Sequence, residues 1–130
     1  VAPNTSSTID ARSISKGGGI STYRGMIHIA PCAANSKAFM KCNGLILDDK
    51  SRSDAIPVLK IKNQNVSAAH EATVGKIQED HIFYLMSRGL SEDEAIKMIV
   101  SGFIGPVTKA LPLEYAVELN KLIEMEIEGH

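Results

Sequence analysis

Disulfides, membrane spans and nucleotide loops have no sequence basis in this chain of 130 residues. Cys32 and Cys42 are its only cysteines, too few for a disulfide framework. Both are expected as free thiols, and any use for them is chemical, such as metal binding. No apolar run approaches the roughly 18 residues of a membrane helix, so no membrane association is expected. Val1 to Asp10 carries no positive segment followed by an apolar one, which predicts no signal peptide and a cytoplasmic location. Aromatic residues make up 5% of the chain and its basic residues are scattered, a composition that argues against nucleic-acid binding. There is no Gly-x-x-x-x-Gly-Lys-Ser/Thr loop, so ATP hydrolysis would have to come from a partner. Without a CxxC or HExxH spacing, a structural zinc site and a metalloprotease are both disfavoured.

What is present is an ordinary folding composition, 44% hydrophobic and 22% charged, which excludes disorder and collagen-like sequence. The net charge of -1 conceals two opposite halves. Residues 1–77 hold ten Lys or Arg against five Asp or Glu, whereas residues 78–130 hold four against ten. Composition changes at the same place. Ser, Thr, Asn and Gly clusters lie before it, and the helix formers Glu, Leu and Met lie after it, which predicts two domains, 1–77 and 78–130.

In the first half apolar residues come in short stretches, Thr8 to Ile14, Met26 to Ile29, Leu45 to Leu47 and Ile56 to Ile61. Ile27-His28-Ile29 and Val58-Leu59-Lys60-Ile61-Lys62 alternate with period two, which predicts strands. Gly17-Gly18-Gly19, Asn43-Gly44 and Asp48-Asp49 read as the turns between them. Short strands at roughly 15-residue spacing fit a sandwich, a barrel or a parallel β-helix, and the pattern alone leaves all three open.

The second half predicts three helices. Glu79 to Arg88 carries Ile82, Phe83, Leu85 and Met86 and ends at Gly89. Ser91-Glu92-Asp93-Glu94 is a capping box that starts the next helix, with Ala95, Ile96, Ile99, Val100 and Phe103 as its apolar face and Gly102 as its stop. After the breakers Gly105 and Pro106, Pro112 pre-sets a third helix with Leu113, Ala116, Val117, Leu119, Leu122, Ile123 and Ile127 apolar. Its outer face is acidic, at Glu114, Glu118, Glu124 and Glu126.

Several segments together resemble the SufB/SufD family of iron-sulfur cluster assembly proteins. They are Ser15-Lys16-Gly17, Tyr23-Arg24-Gly25, Lys41-Cys42-Asn43-Gly44-Leu45-Ile46-Leu47, Ala55-Ile56-Pro57, His70-Glu71-Ala72-Thr73-Val74-Gly75-Lys76-Ile77 and Phe83-Tyr84-Leu85-Met86-Ser87-Arg88-Gly89. Met98 to Phe103 and Leu111-Pro112-Leu113-Glu114 extend the match. The resemblance implies the C-terminal rungs of a right-handed parallel β-helix over 1–77, followed by an α-helical domain over 78–130 that docks a SufC-type ATPase. Members are several times longer, so the chain is expected to be a C-terminal fragment cut inside the solenoid, with Glu128-Gly129-His130 read as the start of a tag.

Cys42 with His70-Glu71-Ala72-Thr73 is SufB-like, whereas Val74-Gly75 and Ser53-Asp54-Ala55-Ile56-Pro57 lean towards SufD. The mixture suits one chain that pairs with itself, the other option being a SufD-like partner; either contact would run through the β-helix. A lone buried cysteine is more often inert core than ligand, and the resemblance reverses that reading at Cys42. It implies that Cys42, Glu71 and His70 hold a nascent iron-sulfur cluster at a subunit interface. A soft thiolate with harder carboxylate and imidazole ligands suits a scaffold that must release its product. As strand neighbours, His70 and Glu71 point to opposite faces, so both reach one site only at a turn, a bulge or a subunit boundary.

The expected role is that of a scaffold and not of an enzyme. A SufD-like subunit that organises the complex without ligating a cluster is the alternative, and Cys42 separates the two. A flavin in the intact complex is left open, and no residue here supports one. Cys32 is expected in the core, and His28 and His81 on a strand face and a helix face. Asp48, Asp49 and Asp54 could form the carboxylate cluster of a carbohydrate enzyme, but Lys50 and Arg52 among them point to a solvated turn.

Overall fold

The computed structural model describes residues 1–128, and its contacts divide the chain into two compact units, Val1–Ile77 and a second that begins at Gln78. Gly129 and His130, part of the segment read as a tag, lie outside the described residues.

Five strands build the first unit: β1 Ser6–Ser15, β2 Ile20–Ile29, β3 Ser36–Ile46, β4 Arg52–Ile61 and β5 Val66–Lys76. They belong alternately to two parallel sheets, one in the order β1-β3-β5 and the other pairing β2 with β4. Ser6 stands beside Lys37, Ser36 beside Val66 and Ile20 beside Arg52, so equivalent positions recur every 31, 30 and 32 residues. Each such coil gives one strand to each sheet. The strands run longer than the apolar stretches that signal them, because polar residues such as Ser6, Ser36 and Arg52 also join the ladders.

Between the sheets lies a thin core of Ile27, Ile29, Ala33, Ala38, Met40 and Cys42, with Met40 fully buried. Small side chains let the sheets approach closely. At Gly44 an added Cβ would fall 3.0 Å from the Cβ of Ser53 and 2.4 Å from its Oγ. Asn43-Gly44 is therefore no turn: both residues lie inside β3, and the glycine answers a packing demand.

The turns at the two ends of the coils use different chemistry. At one end Asn4 and Asn35 adopt left-handed backbone conformations, and the Asn65 side-chain amide donates to Asn35 Oδ1 at 2.7 Å, tying adjacent coils. At the other, Gly17 and Gly18 take positive φ, which glycine adopts without steric cost, and Asp48 accepts from the amides of Gly17, Lys50 and Ser51. The Ser51 hydroxyl donates to the same carboxylate. Burial pushes Asp48 up, but the hydrogen bonds from Ser51, Lys50 and Gly17 outweigh it and hold the carboxyl below its ordinary value.

Three helices form the second unit, α1 Glu79–Ser87, α2 Glu92–Thr108 and α3 Leu113–Glu128. Gly89, at φ 100°, ends α1 in a Schellman turn: its amide donates to the Met86 carbonyl and that of Leu90 to the Leu85 carbonyl. The capping box forms as expected, the Ser91 amide donating to Glu94 at 2.8 Å and the Glu94 amide to Ser91 Oγ at 3.3 Å. The expected stop at Gly102 does not occur. α2 runs on through Gly102, Gly105 and Pro106, because glycine ends a helix by turning left-handed and neither Gly102 nor Gly105 does so. Pro106 falls in the last turn, where it removes only the bond to the Gly102 carbonyl.

Of the apolar positions on α3, Ala116, Leu119, Ile123 and Ile127 are half-buried and Leu113, Val117 and Leu122 are exposed. No helix among the described residues is long and apolar enough to cross a membrane.

Two stability predictions follow from the first unit. Gly44→Ala should destabilise it by about 1–3 kcal/mol through overpacking against Ser53, read as a lower urea midpoint of the strand signal; an unchanged midpoint would contradict the close sheet approach. Because the folded carboxyl of Asp48 titrates below its unfolded value of about 3.9, its stabilising effect is complete above that pH and disappears as pH falls through the folded value. Asp48→Asn should thus lower the melting temperature at pH 7, and the difference should shrink as the pH falls below about 3.9. A gap that persists in acid would rule out this linkage.

Candidate functional site

Strand alternation decides what Cys42, His70 and Glu71 can each reach. Along β3, Ser36, Ala38, Met40, Cys42 and Gly44 turn inward, while Lys37, Phe39 and Lys41 turn outward. Cys42 is only 4% exposed and sits in the apolar cluster with Tyr23 and Ala11 packed against it. Beside it lies a cavity of about 200 Å³, lined among others by Ser13, Tyr23, Gly44, Ser53 and Thr73. Tyr23 fits there because Gly25 has no Cβ; one placed at that position would come within 2.7 Å of the Tyr23 ring and of Met40 Cε.

In the parallel ladder Ala11 and Ala72 flank Cys42, and His70 stands beside Met40. In-register residues of neighbouring strands share a face, so His70 points inward, diagonal to Cys42. Its Nε2 is enclosed and has no hydrogen-bond partner among the described residues. Such an orphaned atom is unfavourable by about 1–3 kcal/mol.

Glu71, the next residue along β5, faces the other way. It is half exposed, and the Lys41 ammonium lies 3.8 Å from its carboxylate. Within one chain the fold therefore places Cys42 and His70 on a common inner face and Glu71 on the outer one. No three His, Cys, Asp or Glu side chains gather as around a metal ion among the described residues.

Burial pushes the Cys42 thiol up, and the negative charge of Asp10 adds to the effect. The Tyr23 hydroxyl is raised by burial and by its proximity to Cys42. A thiol raised in this way holds its proton at neutral pH, so a metal ion binding there must displace that proton. The inner pair, one soft sulfur and one borderline imidazole nitrogen, is chemically suited to ferrous iron.

Other candidates have structural partners. Asp48 clamps the turn described above, Asp49 pairs with Lys76 and Asp54 with Arg52, so no carboxylate cluster forms among the three. Cys32 is not in the core. It is exposed in the turn after β2, with its thiol donating to the Val1 carbonyl at 3.1 Å, because the buried position of that turn belongs to Ala33. His28 and His81 are exposed on β2 and α1.

Tyr23 and Lys41 belong to the site's surroundings, and sequence reasoning assigned neither a role. Knowing the coil length would have found Lys41, which stands 30 residues before Glu71 and in register with it.

The two thiols differ enough to be told apart chemically. Iodoacetamide should modify Cys32 at least about tenfold faster than Cys42 in the native chain, with the difference abolished in urea. Equal native rates, read by mass spectrometry of the labelled peptides, would refute the enclosed position of Cys42.

Residues 1–103 match the family model described as "SUF system FeS cluster assembly, SufBD core domain". The chain is 57% identical to the iron-sulfur cluster assembly protein SufB of Bacillus subtilis over 129 residues, which is 99% of this chain and 28% of that protein. It is 56% identical to a SufBD family protein of Staphylococcus saprophyticus over 98% of its own length and 28% of the relative's. A SufBD family protein of Mycobacterium tuberculosis is 50% identical over 99% of this chain and 15% of its own length. The chain thus spans under a third of the curated relatives it matches. With the family model covering most of its residues and half or more of its positions identical to these proteins, the chain belongs to the SufBD family of SUF-system iron-sulfur cluster assembly proteins.

Proposed function

We propose that this chain contributes to a scaffold on which the SUF machinery assembles a nascent iron-sulfur cluster, and that Cys42, His70 and Glu71 are the residues that hold it. The observation that carries this reading is the inner-face pair: an enclosed thiol diagonal to an imidazole whose Nε2 has no hydrogen-bond partner. The cluster is cargo that passes through, so moderate mixed ligation is suited to the task. Glu71, turned to the outer face of β5, joins the other two only across a subunit boundary, either with a second copy of the chain or with a SufD-like partner. Among the described residues β5 has a strand partner on one side only, the kind of edge that such a contact uses.

The alternation of strands between two parallel sheets is read as consecutive rungs of a right-handed parallel β-helix. The helical unit is assigned to docking a SufC-type ATPase in the cytoplasm, with hydrolysis carried out by that partner. Its exposed apolar residues, Phe83, Leu113, Tyr115 and Val117 among them, beside an acidic α3 provide the mixed surface that such docking needs. The second reading, a SufD-like subunit that organises the complex without ligating a cluster, draws on the outward turn of Glu71 and its pairing with Lys41.

Anaerobic reconstitution with ferrous iron and sulfide separates the two. Cys42→Ala should abolish the cluster's visible absorption while far-UV circular dichroism stays native, and Cys32→Ala should be nearly silent. A normal cluster on folded Cys42→Ala protein would eliminate the scaffold role for this residue and leave the organising role.

A further inference from the structure

The inner face of the first sheet holds a third metal-binding side chain beside the two already described. Met40 stands in register with His70 on the adjacent strand and two residues before Cys42 on its own, so strand alternation turns all three inward. Met40 is fully buried and Cys42 nearly so. The Met40 methyl reaches towards the second sheet, where a Cβ at Gly25 would stand 2.7 Å from Met40 Cε. Its thioether is a soft, polarisable sulfur on a flexible, unbranched stem. With the enclosed, unpartnered Nε2 of His70, the inner face carries two sulfurs and one imidazole nitrogen.

Ligand chemistry decides which ion such a set suits. Magnesium, calcium and manganese take oxygen ligands, and zinc sites are built from Cys, His and carboxylates. The carboxylates that stand in the neighbouring row, Asp10 and Glu71, lie on the outer face with Lys41. Thioether together with thiolate selects monovalent copper, which imidazole also suits.

We propose that Met40, Cys42 and His70 form a site for one Cu(I) ion. The Cys42 thiol gives its proton to water as the copper–sulfur bond forms, and copper stays monovalent throughout, so no oxidant or reductant takes part. The inference needs these three side chains alone and does not depend on a cluster being held there. Copper in this position takes the sulfur that the cluster reading assigns to iron, so the two metals compete for Cys42.

Anaerobic titration of Cu(I) against a chromophoric Cu(I) chelator tests the proposal, in the 130-residue chain carrying Cys32→Ala so that the exposed thiol takes no part. Copper should bind in a one-to-one ratio, with X-ray absorption showing both sulfur neighbours and a nitrogen. Met40→Leu keeps the volume and apolar character of the side chain. It should weaken Cu(I) binding about tenfold or more and remove one sulfur neighbour while the nitrogen stays. Cys42→Ala should abolish binding. A merely structural role for Met40 would lower the affinity and leave the sulfur count unchanged, so retention of both sulfurs in Met40→Leu overturns the proposal. Copper kept by folded Cys42→Ala overturns it too. So does a single sulfur neighbour, or no bound copper, in the parent chain, a reading that needs no further variant to fold.

Discussion

In-register parallel hydrogen bonding is the constraint from which the rest of the first unit follows. Because Ser6, Lys37 and Ser67 share one row, and Ala11, Cys42 and Ala72 another, whatever lies at a position in one coil rests on its equivalent in the next. Inner rows must therefore be small or complementary in shape, which is why Ala11, Ala38, Gly44 and Ala55 line the interior beside Ile27, Ile29 and the fully buried Met40. Outer rows must balance charge, as Asp10, Lys41 and Glu71 do. The turns take up the differences in coil length, so the rows stay aligned although the repeats differ by one or two residues.

That constraint also explains what could be read in the sequence and what could not. The capping box at Ser91 and the glycine stop at Gly89 were legible because each is complete within a few residues. The alternation at Ile27-His28-Ile29 was legible for the same reason. Gly44 and Cys32 were misplaced because their environments come from distant coils: Ser53 across the core decides the first, and the burial of Ala33 decides the second. Pro106 reads as a breaker because proline removes a backbone donor and crowds the carbonyl four residues back, yet α2 ends only two residues beyond it, so little helix lies past the disruption. β5 had no apolar alternation to announce it, since its inner positions are Val66, Ala68, His70, Ala72 and Val74 and most of them are small.

The same logic applies to the candidate site. Cys42 and His70-Glu71 could be singled out by family likeness, and strand geometry alone predicted that His70 and Glu71 would part. Which of the two would side with Cys42 depended on the register between β3 and β5, a quantity set by one residue more or less in the intervening coil. A shift of one position would have put Glu71 inside and His70 out.

The cavity at Cys42 adds a selection by size that precedes any selection by ligand chemistry. Pockets that receive drug-sized organic molecules usually measure roughly 300–1,000 Å³. The space beside Cys42, at about 200 Å³, is below that range and is walled by a tyrosine ring and two sheets that glycine allows to sit close. Small inorganic species of a few atoms fit it as it stands, whereas a bulky organic thiol or reductant is kept from the sulfur unless strands separate.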